Sequence, residues 1–197
     1  MKIESRPDIR IEHGKLEGRG RVHICMHVLA NARDDVRVMR EATALTAAGY
    51  QVSVVDVVSA RHGPAQETIQ GILMRHIYLE SWSTPSRIKI GFLFKMLYVI
   101  SAAMLLLIRS RANIYHAHSD FRELPACYLA SLLTRKPLVF DAHELPLSDP
   151  GLDRWSLLKR LANGLLKIML RHCIAIITVS PPWSMSYTNA IPVPVPP

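Results

Sequence analysis

The stretch IYHAHSDFRELPA, residues 114–126, carries polar side chains at the end of a short apolar run. His116 and His118 are two residues apart, and Asp120 follows two residues later. Because alternate residues of a β-strand share a face, the two imidazoles would point the same way and could hold a metal ion, bind a sugar or exchange a proton. The other interpretation is a pair of structural histidines, which is favoured for His116 because it lies further inside the strand.

A zinc hydrolase is the sharpest alternative for this stretch. The residues read H-x-H-x-D, a pattern that metallo-β-lactamase-like hydrolases use to bind zinc. Those hydrolases have a further histidine directly after the aspartate, where this chain has Phe121. They also fold as a sandwich of two sheets, whereas the rest of this sequence alternates strands with helices. We therefore expect no bound metal.

Composition limits the other classes of function. The formal net charge of +8 suggests an anionic partner, such as lipid phosphates or a nucleotide. The sequence has neither an RNA-binding aromatic strand nor a basic recognition helix, so we expect no nucleic-acid partner. Its three cysteines are scattered and form no C-x2-C pair, which argues against disulfides and structural zinc and favours a reducing compartment.

Apolar periodicity predicts alternating strands and helices along most of the chain. β-branched runs indicate strands near 22–28, 51–58, 113–118, 137–141 and 174–179, and ILMRHIYL at 72–79 is a further candidate. Helical spacing separates most of these runs, and the first helix ends at Gly49, which suits a left-handed cap. Several strands are apolar on both faces. The sequence therefore predicts an α/β fold, a Rossmann-like doubly wound parallel sheet.

Composition also suggests where the domain begins and ends. Residues 1–20 are polar and mixed in charge, as in a flexible leader. Residues 21–180 contain all the predicted elements. Residues 181–197 include six prolines, a density at which no regular element forms. We expect a single domain between these two segments.

A long apolar helix is predicted at 87–111. Its largely apolar run without a charged residue, Met96–Ile108, has thirteen residues, and a spanning helix needs about 20. The length favours a buried or interfacial helix over a membrane span. Basic residues flank the run, which suits peripheral contact with anionic lipid. A core helix with snorkelling lysines is an equally open interpretation.

Polar residues follow three predicted strands at the point where each strand ends. They are Asn31, Arg33, Asp34 and Asp35 after the first strand; His116, His118, Ser119 and Asp120 around the end of the third; and Asp141, His143 and Glu144 after the fourth. Ligands of open parallel sheets bind outside the carboxyl ends of the strands. We therefore expect these three groups to face one crevice.

At these residues the chain resembles the amino-terminal domain of family 4 glycosyltransferases, which have the two-domain GT-B architecture. DVRVMREATALTAAGYQVSVVDV is similar to the opening helix and second strand of that family. NIYHAHSDFRELPACYLAS, PLVFDAHEL and AIITVSP resemble three later segments, so that the resemblance covers roughly residues 21–182. The glycine pair that many relatives carry after the first strand is replaced by LANARD.

The resemblance implies the acceptor-side half of a retaining enzyme that moves a sugar from a nucleotide-sugar donor to a glycan or lipid-linked acceptor. It implies no metal and no cofactor, since the nucleotide sugar is a substrate. His118 would contact the sugar near the reacting centre as the catalytic residue. The remaining cleft residues would be Asp35, Arg37, His116, Asp120, Asp141, His143 and Glu144.

The second, donor-binding domain of the family is absent from these 197 residues. We therefore expect a truncated chain that is inactive alone, in polysaccharide biosynthesis, cytoplasmic and peripheral on the inner face of the membrane. The alternative is a non-catalytic protein, or one subunit of a split enzyme that pairs with a separate donor-domain partner.

Overall fold

A computed structural model describes residues 21–59, 63–79, 89–119, 122–142 and 156–178. The predicted leader at 1–20 and the proline-rich tail at 181–197 lie outside these ranges. The elements are β1 (His23–His27), α1 (Val36–Ala47), β2 (Gln51–Val58), β3 (Gln66–Ile69), β4 (Ile72–Tyr78), α2 (Lys89–Ser110), β5 (Ile114–Ser119), α3 (Leu124–Thr134), β6 (Leu138–Ala142), α4 (Ser156–His172) and β7 (Ala175–Thr178).

Seven strands form one sheet in the order β3-β4-β2-β1-β5-β6-β7. Five of the six neighbouring pairs are parallel, so the predicted doubly wound parallel sheet is confirmed. The exception is the antiparallel pair of β3 and β4, which the sequence analysis did not predict. Its turn places Gln70 and Gly71 at φ of 51° and 81°, the positive values that tight hairpins require.

Helices cover the sheet on both faces, and each face has its own apolar core. α1 packs on one face, where Val38 and Ala42 meet Met26 and Val54. α2, α3 and α4 pack on the other, in a larger core that includes Tyr115 and residues of β2, β5 and β6. Strands buried between two helical layers need apolar side chains on both faces, which explains the continuous β-branched runs.

α2 packs along one stripe and exposes the rest of its surface. Val99, Ala103 and Leu107 recur every four residues and are buried against the sheet. Large apolar side chains elsewhere on the helix are exposed, among them Phe94 at 66%. Over Leu93–Ser110 the helix is long and apolar enough to cross a membrane by length and composition, although its buried stripe belongs to the domain core.

Two exposed glycines give opposite expectations for the same substitution. Gly49 follows α1 at φ 92°, as the sequence predicted, and Gly164 lies inside α4; a Cβ added at either would meet nothing within 4 Å. Gly49→Ala should lower the free energy of unfolding by about 1 kcal/mol, because alanine is strained at positive φ. Gly164→Ala should raise it by roughly 0.5–1 kcal/mol through helix propensity. Urea denaturation measures both, and shifts of the same sign would contradict the assignment.

Candidate functional site

The three strand ends predicted to share a crevice belong to neighbouring strands. β1 pairs with β5, and β5 pairs with β6, both in parallel. Their carboxyl ends therefore meet at the same edge of the sheet, as predicted. Among the predicted cleft residues, Asp120, His143 and Glu144 lie outside the described residues, and the site is built here from the others.

His116 and His118 point to the same face of β5, the face covered by α1. Their ring centroids are 4.1 Å apart. Glu41 of α1 approaches both rings: its Oε1 lies 3.3 Å from His116 Nδ1, and its Oε2 lies 3.8 Å from His118 Nε2. On the other side of His118, its Nδ1 lies 3.6 Å from Oδ2 of Asp141. The structure thus brings together two predicted strand ends and one helix residue that was not predicted.

This group is withdrawn from water. His118, His116 and Asp141 are 0%, 4% and 6% exposed. Burial raises the pKa of Glu41, the charge of Asp141 raises it further, and the charge of His118 opposes the rise. An imidazole held between two carboxylates has a fixed orientation and can carry a proton. The position of His116 further inside the strand predicted that His118 is the outer histidine, yet in the structure His118 is the more deeply buried of the pair.

Asp35 and Arg37 have a more local role than the predicted lining of a cleft. Asp35 caps α1, because its Oδ1 accepts hydrogen bonds from the backbone N–H of Arg37 at 3.0 Å and of Val38 at 3.4 Å. Burial alone would raise the pKa of Asp35, but these N–H groups and the Arg37 guanidinium hold it below its usual value. The Arg37 side chain is 58% exposed and lies 3.5 Å from the same carboxylate oxygen.

A second polar network, missed by the sequence analysis, lies at the same edge beyond β2. Asp56 is fully buried; it accepts a hydrogen bond from the Ala32 N–H at 3.0 Å and contacts His76 Nδ1 at 2.6 Å. His76 Nε2 lies 3.0 Å from Glu67, which pairs in turn with Arg33. The chain of contacts joins the loop after β1 to β2, β4 and β3.

A polar cavity of about 410 Å³ opens beside this network. It is lined by Asn31, Arg33, Asp34, Val58, Ser59, Gly63, Pro64, Glu67, His76 and Tyr78. The polar side chains among them include both hydrogen-bond donors and hydrogen-bond acceptors, which suits a ligand rich in hydroxyl groups. The cavity lies on the loop that follows β1, the first of the three predicted strand ends.

The thiols of the described residues are unsuited to nucleophilic chemistry. Burial raises the pKa of Cys25 and raises that of Cys127 well above its usual value. It raises the pKa of Cys173 to about 12. Because the thiolate is the reactive form, these three side chains are inert near neutral pH.

Glu41 and Asp56 were missed although the sequence contains a signal for each. Glu41 lies three residues after Val38 and one before Ala42, so a carboxylate occupies the apolar stripe of α1. Asp56 interrupts a run of valines in a strand predicted to be buried on both faces. A charged residue at a core position needs a partner, and that is a reason to assign it to a site.

Comparison with known proteins identifies the family. The model of Glycosyltransferase Family 4 matches residues 35–194. The chain belongs to Glycosyltransferase Family 4. It is a glycosyltransferase-type domain, and the resemblance found in the sequence is confirmed. A search of curated protein sequences found no match for this family 4 domain.

Solved structures resemble this family 4 domain at the level of the fold. A sucrose-phosphate synthase from Thermosynechococcus elongatus has a TM-score of 0.59 and 13% identity, and the match covers 85% of this chain and 81% of that one. The E. coli trehalose-phosphate synthase bound with UDP-2-fluoro glucose has a TM-score of 0.59 and 10% identity, over 85% and 42% of the two chains.

MurG from Acinetobacter baumannii is a third similar structure, with a TM-score of 0.52 and 16% identity over 81% of this chain and 42% of that one. The family 4 domain therefore spans less than half the length of the E. coli and Acinetobacter proteins. The Rossmann-like fold of one GT-B domain, predicted from the sequence, is confirmed.

His27, at the end of β1, gives a prediction about pH. Its Nδ1–H donates to the Val55 carbonyl at 2.8 Å, and burial, with a smaller effect of His118, lowers its pKa from 6.5 to about 4. Between pH 6.5 and pH 4 the imidazole is protonated in the unfolded chain and neutral in the folded one. The contribution of His27 to the free energy of unfolding is therefore fully present above pH 6.5 and decreases as the pH is lowered toward 4. We expect a loss of about 2 kcal/mol between pH 7 and pH 5 through this group.

His27→Asn removes the titrating ring and keeps an amide that can donate to the Val55 carbonyl. The variant should be less stable than the wild type at pH 7, and the difference should narrow by about 2 kcal/mol at pH 5. Urea unfolding at the two pH values measures this difference. An unchanged gap between the two proteins would show that His27 is not the group responsible.

Proposed function

We propose that this family 4 domain is the acceptor-side half of a retaining glycosyltransferase, which moves a sugar from a nucleotide-sugar donor to a glycan or lipid-linked acceptor. The observation that carries the proposal is the family match over residues 35–194. The polar groups at the carboxyl edge of β1, β5 and β6 support it, because ligands of such sheets bind at that edge.

His118 is the residue we assign to the reacting sugar. Asp141 lies 3.6 Å from one of its ring nitrogens and Glu41 3.8 Å from the other, so two carboxylates orient the imidazole. An N–H of the oriented ring can donate a hydrogen bond to a sugar oxygen. In this proposal Asp141 and Glu41 are positioning residues. The ring of His116 contacts Glu41 and helps to hold its carboxylate in place. Asp120, His143 and Glu144 complete the acceptor pocket in the same proposal.

The donor side of the reaction needs more than the described residues offer. Breaking the anomeric bond leaves a diphosphate, and preorganised cations that stabilise such charge contribute several kcal/mol. At the loop after β1, Arg33 pairs with Glu67 and Arg37 lies beside Asp35, so both guanidinium charges are partly neutralised. We propose that arginine and lysine side chains of a donor-binding half stabilise the diphosphate, without a metal cofactor, and that the 197 residues alone are inactive.

A separate donor subunit is the second candidate arrangement. A Rossmann-like domain whose relatives are twice its length can act as one chain of a split enzyme or as a non-catalytic binding protein. Both arrangements use the same acceptor edge. They differ in whether a donor domain added as a separate chain restores sugar transfer.

The helical layer formed by α2, α3 and α4 supports peripheral contact with a membrane. None of these three helices contains Asp or Glu, and basic residues such as Lys95, Arg109 and Lys167 occur along them. Their exposed large apolar side chains are Leu93, Phe94, Leu97, Tyr98, Leu105, Leu129, Leu132, Leu133, Leu161, Leu165 and Ile168. Exposed apolar groups interspersed with basic residues suit anionic lipid.

We propose that this helical layer rests on the cytoplasmic face of the membrane, where a lipid-linked acceptor for polysaccharide biosynthesis would be presented. The buried stripe of Val99, Ala103 and Leu107 favours docking over spanning, because a spanning α2 would have to leave the core that these residues build. Anionic lipid is a better partner for the positive net charge than nucleic acid, for which the sequence has no recognition element.

The catalytic assignment is tested by adding a relative's donor domain, either fused after Ser180 or as a separate chain. The 197 residues alone should give no turnover of a nucleotide sugar, and the added domain should restore it. In the active assembly, His118→Ala should lower kcat/KM by at least ~100-fold, because the oriented imidazole is lost. His116→Ala is the matched control and should cost less than ~10-fold.

Three results of that experiment would contradict the proposal. Robust turnover by the isolated chain would mean that the donor site lies within these residues. Equal losses for the two histidine variants would remove the role given to His118. If the His118→Ala variant transfers sugar at the full rate once the donor domain is added, the acceptor contact lies elsewhere at the sheet edge.

Membrane docking is tested with vesicles of anionic and of zwitterionic lipid. The wild-type chain should sediment with anionic vesicles and be released by high salt or carbonate. The double variant Phe94→Gln, Leu97→Gln should bind at least ~10-fold more weakly, because each side chain is more than half exposed and would enter the lipid. Val36→Gln is the control, since Val36 is 69% exposed on α1 at the opposite face.

Release that requires detergent would contradict peripheral docking and favour a span by α2. Equal binding of the double variant and of the control would place the contact on another surface of the domain.

A further inference from the structure

A second cavity, the α2 groove, lies between the carboxyl half of β4 and the side of α2. Its volume is about 470 Å³, within the range of small-molecule sites. It is lined by Ser59, His76, Ile77, Tyr78, Tyr98, Ala102, Leu105, Leu106 and Arg109. None of these residues belongs to the group of side chains around His118, so the α2 groove is a separate feature of the domain.

The wall that α2 contributes to the groove is long and mostly apolar. Tyr98, Ala102, Leu105 and Arg109 are spaced by four, three and four residues, so they lie along one side of the helix. At 1.5 Å per residue this side is about 16 Å long. The hydrocarbon layer of one membrane leaflet is about 15 Å thick, half of the ~30 Å of a bilayer. The groove therefore has the length of a single lipid tail.

The same wall is continuous with the apolar surface proposed to rest on the membrane. Tyr98 and Leu105 are 53% and 47% exposed and belong to that surface. The buried stripe of Val99, Ala103 and Leu107 lies directly beside them on the helix. A tail in the groove would thus have the domain core on one side and the bilayer on the other. It would pass between the two without entering water.

The end of the groove at the carboxyl edge of the sheet is polar. Ser59, His76 and Tyr78 line both the α2 groove and the polar cavity, so the two cavities adjoin. The Tyr78 hydroxyl lies 2.8 Å from the carbonyl oxygens of Gly63 and Pro64, which line the polar cavity. An amphiphile whose tail lies along α2 would therefore have its head in the polar cavity.

Charges in the polar cavity favour a head that is rich in hydroxyl groups. Asp34 and Glu67 contribute two carboxylates to the lining, and the Arg33 guanidinium is already paired with Glu67. A phosphate beside these two carboxylates would be repelled by both. A sugar hydroxyl can donate to a carboxylate and also accept from an N–H of Arg33 or Asn31. The cavity therefore fits a sugar better than a phosphate.

We propose that the α2 groove binds the tail of a glycolipid and that the polar cavity binds a sugar of its head. The inference rests on the proposed function, because it takes this glycolipid to be the acceptor. Of the two acceptor classes given there, it selects the lipid-linked one. The tail reaches the groove from the membrane, and the head is held at the carboxyl edge of the sheet.

The position of the polar cavity also limits the size of the head. In the sheet, β4 and β5 are separated by β2 and β1. Three strand spacings amount to about 14 Å. The sugar bound beside Tyr78 is therefore not the one that reacts at His118, and the head contains more than one sugar unit.

Calorimetric titration of the full chain with dodecyl maltoside, kept below its critical micelle concentration, tests the site. This probe has an apolar tail and a head of two sugars, and we expect one molecule per chain. Maltose, the head alone, should bind at least ~10-fold more weakly, because burial of the tail is lost. Dodecylphosphocholine has the same tail and should also bind at least ~10-fold more weakly, because its phosphate would face Asp34 and Glu67.

Leu105→Gln tests the groove. It should weaken binding of dodecyl maltoside by at least ~10-fold, because an amide would replace the apolar contact with the tail. Leu97→Gln is the matched control: Leu97 lies on the same helix and is 51% exposed, but it does not line the groove. This control should leave the affinity unchanged. Asn31→Ala tests the head and should cost roughly 3–10-fold, the loss of one hydrogen bond. Circular dichroism checks that each variant is folded.

Three outcomes would overturn the inference. They are failure of the folded chain to bind dodecyl maltoside, equal affinities of the two glutamine variants, and binding of dodecylphosphocholine as tight as that of dodecyl maltoside. All three are measured without a donor domain. Inactivity of the assembled transferase would therefore contradict the proposed function alone, and an active transferase that does not bind dodecyl maltoside would contradict only this inference.

Discussion

Ionisable side chains buried at the carboxyl edge of the sheet impose the strongest constraint on this domain. Removing a charge from water costs several kcal/mol unless an opposite charge or a hydrogen-bond donor is close by. Asp56 is fully buried, and it holds both the Ala32 N–H and His76. His118 is buried between Glu41 and Asp141. These contacts fix which loop, strands and helix must meet at this edge, and the polar cavity and the candidate site are built on the result.

The two faces of the sheet carry different kinds of side chains. Among the described helices, α1 alone covers one face, and Glu41 lies within its apolar stripe, where charged groups adjoin the valine and methionine side chains of the core. The other face carries three helices without a single acidic residue, packed through one apolar core. The carboxylates of the site thus lie on the opposite side of the sheet from the helices that carry the exposed apolar and basic side chains.

Similarity to the solved structures is a similarity of packing. Identities of 10–16% accompany TM-scores between 0.52 and 0.59, because a sheet between helices tolerates exchange of one apolar residue for another while volume and pattern are kept. Chemistry depends on individual side chains, so it is not transferred by the fold. The loop LANARD illustrates this point: its Arg33 pairs with Glu67 of the β3–β4 hairpin, a contact that depends on these two side chains and not on the fold.

The sequence by itself determined six of the seven strands, the helices, the left-handed turn at Gly49 and the meeting of three strand ends, because periodicity and backbone preference are local properties. It also predicted that His116 and His118 share a face. It did not predict β3, a short polar edge strand that pairs with β4 in the described sheet, and it did not predict the partners of the two histidines. Glu41 and Asp141 reach them because β5 lies between β1 and β6 and because α1 turns one particular side toward the sheet. Strand order and helix rotation are decided by long-range packing, and only the tertiary structure contains them.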